Sequence, residues 1–571
     1  MIKKLIFFSL LLSSVVTYAQ DIPQHISYYR IYDLLDEFAN LGIIDLNSAV
    51  KPYSRKYIAQ QLLIAAENEN KLTNRQKQDV RFYMEEFALE NGRLPKGKIR
   101  LLRKEKTTAT LWPPAFSYQD ANFSARITPI LGMHLISNQH GTIDKRWYGA
   151  EFQSTIGENL AVYGSLRDIS HAGNAPLSKA SYLNNEPGYE YTMGTDFSDS
   201  RGGISYSNQF MTIGLKKDNI VWGDSYHCSN ILSGRAPSFP MLHLLLKPAK
   251  WFELNYFHGW LVSNVWDSTN YYIDNQNAKH YRLQNKFIAA NMFTFTPLSK
   301  LKLSVGNAIV YAEQNVLPSY FIPIAFYKSM DHVLNKGLGA ENQNSQLFFN
   351  FSSRNIKHIH LYGSLYIDEF QLRRLRLDSP DKNPVSLKAG VHLSDFMLKN
   401  FSFTGEYTQT NIINYKHSIP ALTYASNSYF MGHYLVDNSR ELYLGVKFKP
   451  IRGLDLEMSY VNALKGNDYD YIRRGFFRGV RGTIIDIISY PTPGDVIWKN
   501  ETFTFKAVYE IFRNGYAVVK ADISDIQGYD AASDVVFAEN RMTAQEVLNR
   551  FTPVMLHGKN TTITMGFSFG F

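Results

Sequence analysis

One cysteine in 571 residues leaves this chain no intrachain disulfide framework. Cys228 stands far from the amino terminus, so no lipid anchor is expected there, and a lone thiol in an exported chain is read as inert. No stretch offers about 18 consecutive apolar residues, which excludes helical membrane spans. H-E-x-x-H, Walker and dinucleotide motifs are all missing, so an enzyme is not supported and no cofactor or metal is expected. Charge of one sign is scarce as well. The formal net charge is +9, nine less two once Lys3 and Lys4 leave with the leader described below, and so mild an imbalance gives no case for nucleic acid.

What the chain has in excess is aromatic side chains, 14% in all, with 37 Tyr and 37 Phe against 7 Trp. Rings in such numbers suit the girdles that a β-barrel places at both membrane interfaces. The amino terminus agrees with export. Lys3 and Lys4 precede an apolar run from Leu5 to Val16, and Thr17-Tyr18-Ala19 offers small residues at −3 and −1, so residues 1–19 read as a secretory signal peptide.

The last ten residues, Thr562 to Phe571, put apolar side chains at odd positions and small or polar ones at even positions. Period 2 is a strand with one apolar and one polar face, as in a barrel wall between lipid and a wet lumen. By resemblance to other barrels, Phe567, Phe569 and Phe571 form the insertion signal read by the outer-membrane assembly machinery. The G-x-S-x-G match at Gly566 to Gly570 lacks the strand-to-helix elbow a nucleophilic serine needs, because the sequence stops one residue later.

Residues 20–92 read as three short amphipathic helices. Ser27, Ser54 and Thr73 stand as their caps, and Gly42 and Gly92 as stops. Residues 93–121 form a basic connector whose run from Arg93 to Lys106 sets seven Lys and Arg against the single acid Glu105. The connector is a solvated linker or a contact for anionic headgroups or cell-wall polymer. Residues 122–571 hold eighteen stretches of strand alternation, the fourth to sixth read at 204–216, 219–224 and 241–247. Short turns, one at Lys217-Asp218, are expected to alternate with nine long loops. An even count then puts both barrel ends, and the helices, in the periplasm. The predicted fold is therefore mainly β: an 18-stranded antiparallel transmembrane barrel in the outer-membrane lipid, with a small N-terminal periplasmic helical bundle.

The faces fit lipid outside and charge inside. Leu442, Leu444, Val446 and Phe448 alternate with Tyr443, Gly445, Lys447 and Lys449, and Phe503, Phe505 and Ile511 oppose Lys506 and Glu510. A charge on the lipid face costs about 2–4 kcal/mol near the midplane, so these charges point inward. Both signs occur, which leaves a salt-bridged plugged interior and a mixed-charge pore equally open. His358 and His360 are two apart on an expected strand and share a face, with two hydrogen-bonded lumen histidines the plainer reading.

The loops are expected to carry Trp147, Tyr148, Trp266, Tyr271, Tyr272, Tyr424, Tyr429, Tyr434, Tyr469, Tyr471 and Trp498 among Asn, Asp and Arg. Aromatic faces beside planar polar groups suit sugar rings, which makes these residues candidate ligands of an extracellular polysaccharide; an interfacial girdle is the alternative.

Three stretches carry a resemblance across the mature chain. They are Tyr32 to Glu37 with Gly42-Ile43-Ile44 and Lys51-Pro52-Tyr53-Ser54-Arg55; Trp222-Gly223-Asp224 leading to Asn230 through Pro240; and Leu361 through Glu369. Together they resemble Wzi-type capsule assembly proteins. That family implies an 18-stranded barrel with a periplasmic helical bundle, acting without catalysis as an attachment point for capsular polysaccharide. Ser524 to Gly528, Arg550 to Pro553 and Gly558 to Thr562 look like its Bacteroidetes branch, close to the RemB gliding-motility proteins, so a gliding or secretion role stands as the alternative beside a diffusion channel. The Gly-Ile-Ile to Pro-x-x-Arg spacing also resembles one surface-layer homology repeat. Residues 20–106 are thus a candidate dock for a periplasmic partner or cell-wall polymer.

Overall fold

The computed structural model describes residues 21–96, 107–111, 114–175, 188, 190–193, 196–338, 343–375, 381–467, 480–481, 496–531 and 542–570. The signal peptide, Tyr469, Tyr471 and Phe571 lie outside them.

Eighteen antiparallel strands close a barrel. The first nine are β1 (Phe123–Asn138), β2 (Gly141–Ile156), β3 (Leu160–Gly173), β4 (Asp196–Ser207), β5 (Met211–Asp218), β6 (Phe239–Ala249), β7 (Phe252–Ile273), β8 (Lys279–Leu298) and β9 (Leu301–Tyr311). The rest are β10 (Asn344–Ser353), β11 (Ile359–Asp368), β12 (Val385–Ser394), β13 (Phe401–Thr410), β14 (Ser439–Phe448), β15 (Leu454–Gly466), β16 (Val496–Phe512), β17 (Gly515–Gly528) and β18 (Gly558–Phe569). Closure comes from β18 on β1, with Ile563 opposite Ser137 and Phe569 opposite Leu131. A hairpin of Thr107–Leu111 and Pro114–Gln119, within the expected connector, continues that column by pairing with the start of β1.

The strand count is as expected, but two strands behind it are not. Residues 204–216 hold a turn: Asn208 Oδ1 accepts from the backbone N–H groups of Phe210 and Met211, and the chain reverses from β4 to β5. Lys217-Asp218 is not a turn but the end of β5. Of 219–224, only Val221–Trp222 is extended, and it belongs to no barrel wall. It pairs inside the barrel with Val50–Lys51. The two errors cancel. The alternation of short and long connections also fails at two places, since β1 and β2 meet across residues 139–140 and β7 and β8 across 274–278. There the strands run on as hairpins instead of giving way to loops.

Alternation decides the wall. Leu131, Met133 and Leu135 on β1, Leu442 and Leu444 on β14, Phe503 and Phe505 on β16, and Ile563 and Met565 on β18 are exposed outward, while Glu441, Asp455, Glu510, Thr562 and Thr564 are buried inward. An apolar belt around a polar lumen is the pattern a lipid bilayer requires.

Among the described residues three α-helices precede the barrel: α1 (Tyr29–Asn40), α2 (Arg55–Glu67) and α3 (Asn74–Glu86). Ser54 caps α2 by accepting from the Tyr57 N–H, and Thr73 with Gln76 forms a capping box on α3. Ser27 does not cap α1, whose N-cap is Tyr28, with no side-chain hydrogen bond. Gly42, at φ +74°, ends α1 as a left-handed residue should. Leu35, Phe38, Ile58, Leu62 and Phe87 form the core between the helices.

Candidate functional site

The helices sit in the short-turn end of the barrel and are tied there by charge. Arg126 of β1 meets Glu86 with two contacts, 2.7 and 3.0 Å. Arg354, in the β10–β11 turn, reaches Asp36 at 2.7 Å and Asn40 at 2.9 Å. Arg30 reaches Asp455 at 3.2 Å, Lys449 reaches Glu37 at 3.1 Å, and Lys447 pairs with Asp33. Tyr83 donates to Glu510 at 2.7 Å. Burial pushes the Glu86 carboxyl up, but the guanidiniums of Arg126 and Arg55 more than reverse this and hold it down at about 2. Asp33 is likewise held at about 2, burial raising it and Lys447 and Lys449 overriding burial. Both carboxylates are held in the ionised form, Glu86 fully buried and Asp33 half-buried, because each has a cation from the wall.

From the long-loop end, residues 219–238 fold down into the lumen. Trp222 lies edge-on to Phe257, centroids 5.1 Å apart, and packs at 5.9 Å on Phe348. Ile231, Leu232, Tyr415, Tyr424 and Met431 complete one apolar cluster with the inward faces of β6 to β11. Tyr415 donates to the Asn230 carbonyl at 2.6 Å and Tyr424 to that of Ile231 at 3.2 Å, so loop 411–438 clamps the inserted loop. The two fillings meet. Val50 pairs with Trp222 and Lys51 with Val221, and Ser48 hydrogen-bonds Asp224. Between the open alternatives of plug and pore, the described residues give the plug.

Among the described residues, two cavities lie where the N-terminal segment faces the wall. One of about 230 Å³ is lined by both signs, with Asp33, Glu37 and Glu457 beside Lys447, Lys449 and Lys506. The other, of about 250 Å³, lies beneath the β18–β1 seam. Its charged lining is Lys145, Arg167 and Lys506, with no carboxylate, and its rings include Tyr28, Tyr29, Trp147 and Tyr516. Trp147 reaches this cavity because position 132 is glycine, where a Cβ would lie 2.2 Å from the indole.

The aromatics named from the sequence do not form one site. Trp147, Tyr148, Trp266, Tyr271, Tyr272 and Trp498 are on strands, not in loops. Trp147 and Trp498 point inward and are buried, the latter donating from Nε1 to Thr552 at 2.8 Å. Tyr424 and Tyr434 are loop residues but buried, and Tyr434 is bonded to Glu441. Tyr148 is 66% exposed on the outer wall, with its hydroxyl on Asp168. Tyr429 is half-buried beside Arg235. Among the described residues, Trp266, Tyr271 and Tyr272 are exposed on one element, the part of the β7–β8 hairpin that rises past its neighbours. Tyr281 lies 5.8 Å from Tyr271, His280 stacks on Tyr272 at 5.0 Å, and Lys279 sits 4.6 Å over the Tyr271 ring. Tyr281 was missed; its place opposite Tyr271 in a hairpin whose tip is Asp274-Asn275-Gln276-Asn277 was the available signal.

His358 and His360 do not share a face. His358 precedes β11 with φ +74° and bonds the Ser394 carbonyl, whereas His360 is buried against Ser352, Arg354 and Tyr226. Among the described residues no three His, Cys, Asp or Glu converge as metal ligands. Of the terminal aromatics, Phe569 is buried on β18, and it and Phe567 pack on Phe512 at 5.8 and 6.2 Å.

A closed antiparallel wall of eighteen strands, an apolar belt and a polar lumen define a transmembrane β-barrel. No family model and no curated protein matches the sequence. Among solved structures, Wzi of Escherichia coli, an outer membrane protein involved in group 1 capsule assembly and described as a carbohydrate-binding β-barrel, superposes with TM-score 0.55 at 12% identity over 97% of this chain and 100% of that one. OccK8 (OprE) of Pseudomonas aeruginosa gives TM-score 0.41 at 8% identity over 78% of this chain and 97% of that one. The Wzi likeness is one of fold; the OccK8 score is too low to carry an argument.

Proposed function

We propose that this chain is a non-enzymatic outer-membrane barrel that binds surface polysaccharide at its long-loop end and aids capsule assembly, with its helices on the periplasmic side. One observation carries the reading most. The lumen is filled from both ends, which suits a wall-mounted attachment site and not a diffusion channel. The exposed rings of Trp266, Tyr271, Tyr272 and Tyr281 offer apolar faces for sugar C–H groups at the end away from the helices. The fold of a carbohydrate-binding barrel supports the same class of ligand.

In this reading residues 20–106 face a periplasmic partner or cell-wall polymer, and Phe567, Phe569 and Phe571 serve insertion by the assembly machinery. A deletion strain tests the proposal. Capsule retained on the cell surface should fall, and planar bilayers holding the purified protein should show no sizeable conductance. Normal capsule with lost surface spreading would move the function to gliding or secretion, and a large steady conductance would make the protein a channel.

A further inference from the structure

One stretch of the lipid-facing wall is covered by a loop of the chain itself. Ile288, Ala290 and Met292 of β8 and Ala308 and Val310 of β9 pack in the lumen. Asn291 and Asn307, next to them in sequence, therefore point outward, on the face that carries Phe295 and Leu303 nearer the turns. The same alternation puts His258 of β7 outward, since Phe257 faces the lumen. All three polar side chains are buried, although a bilayer alone would leave them without hydrogen bonds. What lies over them is residues 317–330 of the loop between β9 and β10. Tyr256, Phe287, Ile309 and Tyr311 of the outer wall form one apolar cluster with Tyr320, Ala325 and Tyr327 of that loop.

The wall supplies hydrogen bonds that the covering backbone needs. Asn291 Nδ2 donates to the carbonyls of Pro323 and Ala325 at 3.0 and 2.8 Å. Asn307 Nδ2 donates to the Ala325 carbonyl at 3.1 Å, and its Oδ1 accepts from the Tyr327 N–H at 2.9 Å. Tyr256 donates to the Tyr320 carbonyl at 3.1 Å, and Phe321 stacks on His258 at 4.4 Å. Pro318 and Pro323 have no N–H to satisfy. Irregular backbone survives at membrane depth only where protein meets its hydrogen bonds, and here that happens near the middle of β9. The other side of the segment is apolar. Ala325 and Tyr327 are buried against the wall, whereas Ile322, Ile324 and Phe326 are exposed, Ile324 to 69%. Apolar side chains exposed so close together mark a surface that meets something other than water. They also continue the exposed belt of Phe295, Leu303 and Phe349 toward the long-loop end. We propose that residues 317–330 sit within the leaflet on the long-loop side, with Ile322, Ile324 and Phe326 against lipid acyl chains. The loop is thus a lipid-contacting anchor, and it steadies the β7–β8 hairpin from outside, since the Gln314 carbonyl accepts from Asn285 of β8 at 2.8 Å. The inference is independent of the polysaccharide reading.

Fluorescence quenching on the full-length protein in phosphatidylcholine vesicles tests it. Cys228 is buried, so Ile324→Cys supplies one accessible thiol for an environment-sensitive fluorophore. Bromine on the lipid acyl chains should quench that label at least twofold, as it quenches the same label at Leu303→Cys on the uncovered belt. Asn291→Leu with Asn307→Leu removes the wall's donors. Quenching at position 324 should then fall at least twofold, with heat-modifiable gel mobility showing that the barrel is intact. No quenching at position 324 beside normal quenching at position 303 overturns the proposal. Cross-linking between copies through position 324, without quenching, overturns it in favour of a second copy. Unchanged quenching in the folded double variant overturns the anchoring by the two asparagines.

Discussion

The two closures of this barrel use different physics. At the turn end the helices are held by buried pairs such as Arg126–Glu86, Arg354–Asp36 and Arg30–Asp455. At the loop end Trp222, Ile231 and Leu232 are held by an apolar cluster. Buried pairs gain little net stability because desolvation offsets attraction, yet losing one partner strands a charge. Apolar packing has no such switch. The turn-end closure is therefore the one that conditions can loosen, and the loop-end closure is the permanent one.

The sharpest way to break that contrast is Trp222→Ala. Emptying the centre of the apolar cluster should cost about 3–5 kcal/mol. The inserted loop should then leave the lumen, read as new conductance in planar bilayers with the N-terminal helices still protease-resistant. Arg126→Ala comes next. It leaves Glu86 buried with Arg55 as its remaining cation 3.5 Å away, and a stranded buried charge costs about 3 kcal/mol. Limited proteolysis should cut the helical segment sooner while the barrel stays heat-modifiable.

Acid sharpens the same point with a smaller effect. Because the folded-state pKa of Glu86 and of Asp33 is depressed to about 2, their stabilisation is complete above the ordinary carboxylate pKa of 4.5 and 3.8. It is lost as pH falls through that window toward 2. Helix docking, followed by protease sensitivity, should weaken on acidification while the loop-end cluster holds. Trp266→Ala should show the smallest change in stability, within about 0.5 kcal/mol, since the side chain is 66% exposed. Its effect belongs in binding, as a several-fold loss of polysaccharide retention; unchanged retention would remove the hairpin from the site.

Much of the wall was legible in the sequence because lipid imposes a strict rule on every strand. Leu442 and Leu444 outward with Glu441 inward needs no knowledge of neighbours. The turn at Asn208 was passed over although the outward set changes phase across it, from Ile204 and Tyr206 at even positions to Ile213 and Leu215 at odd ones. Val221–Trp222 does read as strand and is strand, but its partner is Val50–Lys51, about 170 positions earlier, and local pattern carries no information on partners. The candidate site was the least legible part. Trp147 and Tyr272 have similar surroundings in the sequence, yet one is buried in the lumen and the other stands free on a hairpin.

By itself, then, the sequence determined the class of wall and which faces meet lipid, since a two-residue period against a bilayer is a local constraint. Tertiary structure alone decided that the lumen is filled. It brought Glu86 to Arg126 and Trp222 to Phe257 and Phe348. Those pairings depend on where the helices and the inserted loop come to rest inside the barrel, and that position is set by contacts between distant segments.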